Sequence, residues 1–155
     1  NLKTRKPEPW KKDQVALAKS LGLPSKPPEG QYLTIPPKPE FVRTFTYSKT
    51  ISSKHIDGFG HSNYNVYLFG ILDGILKAQQ EGILKGFGSE DIRGSFLSEV
   101  SIVYQGEALE GETIQFTVWN MEEDARHFQA RVTKGQELLT FAALRFGTDV
   151  LKPKL

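Results

Sequence analysis

The chain contains no cysteine. That excludes thiolate nucleophiles, disulfides, iron–sulfur clusters and cysteine-based zinc sites by inventory alone. It also lacks a long apolar run. The longest, Val66 to Leu76, is broken by Asp73 and falls short of the roughly 20 residues that cross a bilayer, so no membrane span is expected. No Asn-x-Ser/Thr sequon occurs, and no apolar stretch of signal-peptide type opens the chain. Both point to an intracellular protein of the cytoplasm or an organelle matrix. Gly58-Phe59-Gly60 lacks the third glycine of a dinucleotide fingerprint because Asn63 stands there. A phosphate loop and a Gly-x-Ser-x-Gly elbow are missing too, which removes nucleotide and serine-hydrolase readings.

What is present is 155 residues, 38% hydrophobic and 25% charged, the composition of one compact domain. The net charge of +2 hides a division: residues 1–40 hold 8 Lys/Arg against 4 Asp/Glu, and residues 41–155 hold 12 against 14. Basicity therefore belongs to an N-terminal extension and not to a face with interleaved aromatics, which argues against nucleic acid as a partner. Eight of the nine prolines also fall in residues 1–40. Such density blocks helix interiors and central strands, so the globular domain is expected over 41–147, with 148–155 as a tail. Within the extension, Asp13 can cap a short helix over 14–21 that Gly22 and Pro24 end, and Ile35 to Pro39 reads as a polyproline II linker.

From Phe41 a run rich in β-formers predicts a strand over about 41–52. The loop His55-Ile56-Asp57-Gly58-Phe59-Gly60-His61 follows, its two glycines permitting a tight irregular turn, and Ser62 or Asn63 can then cap a helix over about 63–81. That helix is apolar nearly all round, through Val66, Tyr67, Leu68, Phe69, Ile71, Leu72, Ile75 and Leu76, and must be buried on more than one face. Gly70 and Gly74 lie one turn apart, which allows a close neighbour at a cost of about 1 kcal/mol each in helix propensity. Asp73 in such a helix needs a partner. Four more strands are expected over 93–105, 112–121, 125–134 and 136–147. Glu110-Gly111-Glu112, Met121 to Asp124 and Lys134-Gly135-Gln136 serve as short connections favouring hairpins or a meander. Ile114, Phe116 and Val118 share one face, and the apolar run from Leu138 to Phe146 suits a strand covered on both sides. The fold class is α+β. A five-stranded antiparallel sheet wrapped around one long buried helix, in the order strand, helix, four strands, is the hotdog architecture.

The stretch Asp57-Gly-Phe-Gly60-His61-Ser62-Asn63-Tyr64-Asn65-Val66-Tyr67-Leu68 resembles the loop-and-helix signature of hotdog-fold acyl thioesterases, D-x-x-G-H-V-N-N-x-x-Y-L. The resemblance is to the 4-hydroxybenzoyl-CoA and acyl-ACP (acyl carrier protein) thioesterase-like families. It continues through Tyr104 and Glu107 to Gly111-Glu112 and covers about residues 41–147. It departs at His55, where many members have an acid, at Phe59, where the carrier-protein enzymes have Asn, and at Tyr64, where the second Asn of the pair is lost. The resemblance implies catalytic roles for Asp57, His61, Asn63 and Glu107 and a substrate site that takes in His55, Phe59, Gly60, Tyr64, Asn65 and Tyr67. It further implies an acyl-CoA or acyl-ACP substrate, a homodimer or homotetramer, and no cofactor.

Thioester hydrolysis needs an attacking oxygen and a place for negative charge on the carbonyl oxygen. Asp57 can serve as nucleophile or general base, and unpaired N–H groups at about Tyr64 and Asn65 can receive the oxyanion. His61 would polarise the carboxylate or water, Asn63 would position substrate or cap the helix, and Glu107 would be the base if Asp57 only positions. A fatty acyl cargo is favoured, since Phe59, Tyr64, Phe69 and the apolar helix could line a greasy tunnel. No metal is expected, because His55, Asp57 and His61 lie in one loop with no further ligand singled out. Two other readings keep the fold. One is an enoyl-thioester hydratase or dehydratase, disfavoured because its relatives separate Asp and His by four residues and not three. The other is a non-catalytic acyl-thioester-binding protein.

Overall fold

The computed structural model describes residues 16, 20–21, 35–36, 42–58, 60–84, 95–121 and 124–147. Phe59, the tail 148–155 and most of the extension, with its expected helix and linker, lie outside the described residues. The chain divides into two compact units, residues 1–34 and 35–155. In the second, five strands form one antiparallel sheet: β1 (Phe45–Thr50), β2 (Leu97–Tyr104), β3 (Thr113–Met121), β4 (Asp124–Lys134) and β5 (Glu137–Phe146). One α-helix, α1 (Asn65–Gln80), and a 3-10 turn over Ser53–His55 lie between β1 and β2. Within 41–147 the expected order and type of strands and helix are present. Among the described residues the first strand starts at Phe45 and the second at Leu97, where about 41 and 93 were expected.

Strand order in the sheet is β1-β3-β4-β5-β2. The meander expected from short turns holds for β3, β4 and β5, whereas Glu110-Gly111-Glu112 does not close a hairpin. β2 pairs with β5 at one edge of the sheet, and β3 pairs with β1 at the other. Residues 105–112 therefore cross one end of the sheet from edge to edge. They are held on the way by Gln105 N–H to the Leu139 carbonyl (2.8 Å) and Gly111 N–H to the Ile51 carbonyl (2.8 Å). The sequence signal at Gly111 was a turn signal, and the turn is real, with φ 83°. It reverses the crossing segment into β3 and does not pair β2 with β3.

Partners in an antiparallel ladder share a face. Register places Tyr47, Phe116 and Val132 in one row and Phe45, Val118, Ala130, Ala142 and Ile102 in the next. α1 lies on these rows. A Cβ on Gly70 would overlap the Phe116 ring, and one on Gly74 would come within 3.0 Å of Tyr47 Cε1. Gly70 is thus required by close packing, and Gly74 sits at a tight but less demanding contact, on the side their spacing suggested. Burying side chains such as Phe116 and Ile71 contributes about 1.5–3 kcal/mol each. The helix ends in a Schellman arrangement: Gly82, at φ 67°, donates to Gln79 O, and Ile83 N–H reaches Ala78 O, each at 2.9 Å.

Burial of the helix is one-sided in the single chain. Val66, Tyr67, Gly70, Ile71, Gly74, Ile75 and Ala78 are buried, while Phe69 is 64% exposed. Asp73 lies on that open side and pairs with Lys77 one turn on, at 2.9 Å. On the opposite face of the sheet Trp119 and Phe141 are fully buried with ring centroids 6.5 Å apart, and Arg131 donates to the Pro36 carbonyl. The central part of β5 is covered on both sides, as its continuous apolar run implied.

Candidate active site

The loop between β1 and α1 is pinned before it reaches the helix. Ser52 N–H and Oγ both approach His55 Nδ1, at 3.0 and 3.2 Å, and Asn63 N–H donates to the His55 carbonyl at 2.8 Å. Burial, then the charges of Lys49 and Lys54, hold the His55 pKa below its usual value. A ring nitrogen that accepts a backbone N–H is suited to the neutral form, so one side of His55 is committed to the loop.

Asp57 to His61 form a reverse turn. Asp57 N–H donates to His61 O at 2.8 Å, Gly60 N–H to Asp57 O at 3.0 Å, and His61 N–H to Asp57 Oδ1 at 3.2 Å. Gly60 sits at φ 76°, a left-handed conformation that favours glycine. Ile56 and Ser62 bridge the base of this turn. The carboxylate of Asp57 is exposed at the tip while one of its oxygens helps to close the turn.

Across from it, the crossing segment 105–112 brings in Glu107, whose Oε2 contacts His61 Nδ1. Each of the two side chains is 28% exposed, enough to admit water. The segment is anchored by Lys134, whose Nζ lies 3.4 Å from the Glu107 carbonyl, 3.2 Å from Glu112 Oε2 and 3.4 Å from Glu137 Oε2. Burial opposes the Lys134 charge, but the Glu112 hydrogen bond and charge, with Glu137 behind them, outweigh it and raise its pKa.

Asn63 acts as the helix cap. Its Oδ1 accepts from Asn65 N–H at 2.9 Å and its carbonyl from Val66 N–H at 2.9 Å. This corrects the expectation of two unpaired N–H groups: the Asn65 N–H is satisfied by the asparagine two residues earlier. Gly60, His61, Ser62 and Asn63 donate to acceptors in the loop and crossing segment, and Val66, Tyr67 and Leu68 to the first carbonyls of the helix. Tyr64 alone in this run has an N–H with no acceptor among the described residues.

The remaining expected positions separate. Tyr64 is 64% exposed, with its ring 5.8 Å from that of Tyr104, which is 44% exposed on the edge strand β2. Asn65 is exposed at the helix start. Tyr67, expected among the substrate contacts, is instead 2% exposed, and its hydroxyl is held 2.5 Å from Ser62 Oγ. Its ring is on the sheet side of the helix, so it faces the interior. The structure thus joins His61 to both Glu107, through its ring, and Asp57, through its backbone N–H, three residues before the open N–H of Tyr64. Sequence reasoning overlooked Ser62 as more than a cap and Lys134 as more than a turn residue, and read Tyr104 only as part of the motif. Ser62 could have been found, since it places a hydroxyl where the thioesterase signature has valine. Among the described residues, no group of three or more His, Asp or Glu is arranged to hold a metal ion. No described helix is long and apolar enough to cross a membrane.

No protein-family model matches the sequence, and no curated protein is detectably similar to it in sequence. Solved structures do match in three dimensions. A 1,4-dihydroxy-2-naphthoyl-CoA thioesterase from Synechocystis is 20% identical, with a TM-score of 0.54 over 66% of this chain and 80% of its own. A thioesterase from Thermus thermophilus, complexed with coenzyme A and zinc, is 14% identical, with a TM-score of 0.57 over 69% of this chain and 79% of its own. A Staphylococcus aureus protein in complex with CoA is 18% identical, with a TM-score of 0.56 over 71% of this chain and 72% of its own. The antiparallel sheet with one helix laid across it is the hotdog fold, which this chain shares with those structures.

Proposed function

We propose that the protein is an acyl thioesterase that cleaves an acyl-CoA, or an acyl group borne on a carrier protein, to free acid and thiol. The observation that carries this reading is the contact of His61 Nδ1 with Glu107, made from the same short loop that carries the exposed Asp57 and leads into the open Tyr64 N–H. The shared fold with CoA-bound structures supports a CoA thioester in particular. Water, oriented by the exposed Asp57 carboxylate, attacks the thioester carbon while His61 Nε2 takes its proton. The carbonyl oxygen, now anionic, receives the Tyr64 N–H and the positive end of α1. Collapse breaks the C–S bond, and the proton on His61 passes to the leaving thiolate. Direct attack by Asp57, followed by hydrolysis of the resulting anhydride, gives the same products.

The active species is read as a homodimer or homotetramer. Support comes from the uncovered side of α1, where Phe69, Leu72 and Leu76 with Leu97 and Phe146 line an open groove of about 450 Å³ beside the edge strand β2. Exposed Val100 and Tyr104 extend that apolar surface along β2. A fatty acyl chain fits the same apolar character.

The test is thiol release from acyl-CoA substrates with short aliphatic, long aliphatic and aromatic groups, alongside the same acyl groups on carrier protein. Tight binding without thiol release would replace this reading by a non-catalytic acyl-binding protein. Hydration of an enoyl-CoA would replace it by a hydratase.

A further inference from the structure

The loop that carries His61 and the segment that carries Glu107 are stitched together one residue further along each. Ser62 Oγ and the Tyr67 hydroxyl lie 2.5 Å apart, and both residues are buried. The Ala108 N–H reaches both, at 2.9 Å to Tyr67 and 3.3 Å to Ser62. Ser62 N–H returns a bond to the Ala108 carbonyl at 3.3 Å. Two hydroxyls in an apolar interior are unfavourable unless each is paired. Here the pairing links residues 61–62 to residues 107–108, although apolar packing alone would have been served by a valine at 62.

Resting on the reading of His61 and Glu107 as reacting groups, we infer that the Ser62–Tyr67–Ala108 clasp is a positioning device. It holds the Glu107 carboxylate against His61 so that Nδ1 carries the ring proton and Nε2 remains the proton acceptor. Neutral imidazole in water favours the opposite tautomer, with the proton on Nε2, and a carboxylate fixed at Nδ1 reverses that preference. Ser62 and Tyr67 touch no reacting atom. Their effect is on which nitrogen of His61 can take a proton from water.

The test reads the tautomer and the rate separately. Full-length protein labelled with 15N-histidine is examined by NMR at alkaline pH, with His61 assigned from the loss of its signals in His61→Gln. Wild type should show a protonated Nδ1 and a bare Nε2. In Ser62→Ala and in Tyr67→Phe the pattern should move toward the Nε2–H form, and kcat should fall about tenfold with KM little changed, the signature of misplacement without lost binding. Ser62→Thr, which keeps the hydroxyl, should restore both. If Tyr67→Phe does not fold, the Ser62→Ala and Ser62→Thr pair decides. An unchanged tautomer in a folded clasp variant, or a shifted tautomer with wild-type kcat, overturns the inference. A wild type that is silent on every thioester but shows the expected tautomer shifts overturns the thioesterase reading and leaves the clasp's control of His61 standing.

Discussion

His61 on the loop before the helix touches Glu107 on the segment that crosses the sheet end. The two are far apart in sequence and meet because β2 lies at the opposite edge of the sheet from β1, so the chain must pass the loop on its way to β3. Chain topology delivers the acid to the histidine, and Lys134 fixes the segment by holding the Glu107 carbonyl and the Glu112 carboxylate.

Packing at Gly70 leaves no room for a side chain between α1 and the sheet. Gly70→Ala gains about 1 kcal/mol of helix propensity but drives a methyl into the Phe116 ring, and overpacking of this kind costs about 1–3 kcal/mol. The net expectation is destabilisation. Gly74→Ala, whose Cβ has 3.0 Å to the edge of the Tyr47 ring, should be nearer neutral. Urea unfolding of the two variants checks the ranking, and equal stability would contradict it.

Asn63 is placed as a cap by its bond to the Asn65 N–H. Asn63→Ala should lower stability by about 1 kcal/mol, while Asn63→Ser, which keeps a capping oxygen, should lose only a few tenths. Thermal unfolding distinguishes them. Identical losses in both would show that the side chain acts through something other than the cap.

Stability should also depend on His55. Its folded pKa lies below the usual value of 6.5, so the unfolded chain takes up a proton first as pH falls. The contribution of neutral His55 is complete above the unfolded value and is lost as pH falls below it toward the folded pKa. Replacing the ring by Asn, as His55→Asn, should therefore reduce the difference in unfolding free energy between neutral and mildly acidic pH. A difference as large as in wild type would contradict the account.

Much of this fold is written locally in the sequence. The period of two in Ile114, Phe116 and Val118, the apolar helix with its paired glycines and the turn at Lys134-Gly135-Gln136 each report a nearest-neighbour interaction. The pairing of β2 with β5 was not legible, because edge-to-edge crossings are decided by which sheet edge remains open and not by the residues of the turn. The same distinction holds for the site. Asp57 and His61 stand out by their spacing around two glycines, and the motif extends the signal to Glu107. The inward turn of Tyr67 onto Ser62 and the use of Asn65's N–H by Asn63 depend on side-chain geometry that spacing does not encode.

The central claim is that the cluster of Asp57, His61 and Glu107 hydrolyses thioesters. The most direct measurement is steady-state release of free thiol from acyl-CoA substrates by wild type, Asp57→Asn and Glu107→Gln, each verified as folded. Positioned acid–base and nucleophilic groups contribute on the order of 10²–10⁴-fold, so the account expects turnover by wild type and a loss of kcat of at least about a hundredfold in both variants. Wild-type turnover that persists unchanged in both variants would place the chemistry elsewhere and contradict it.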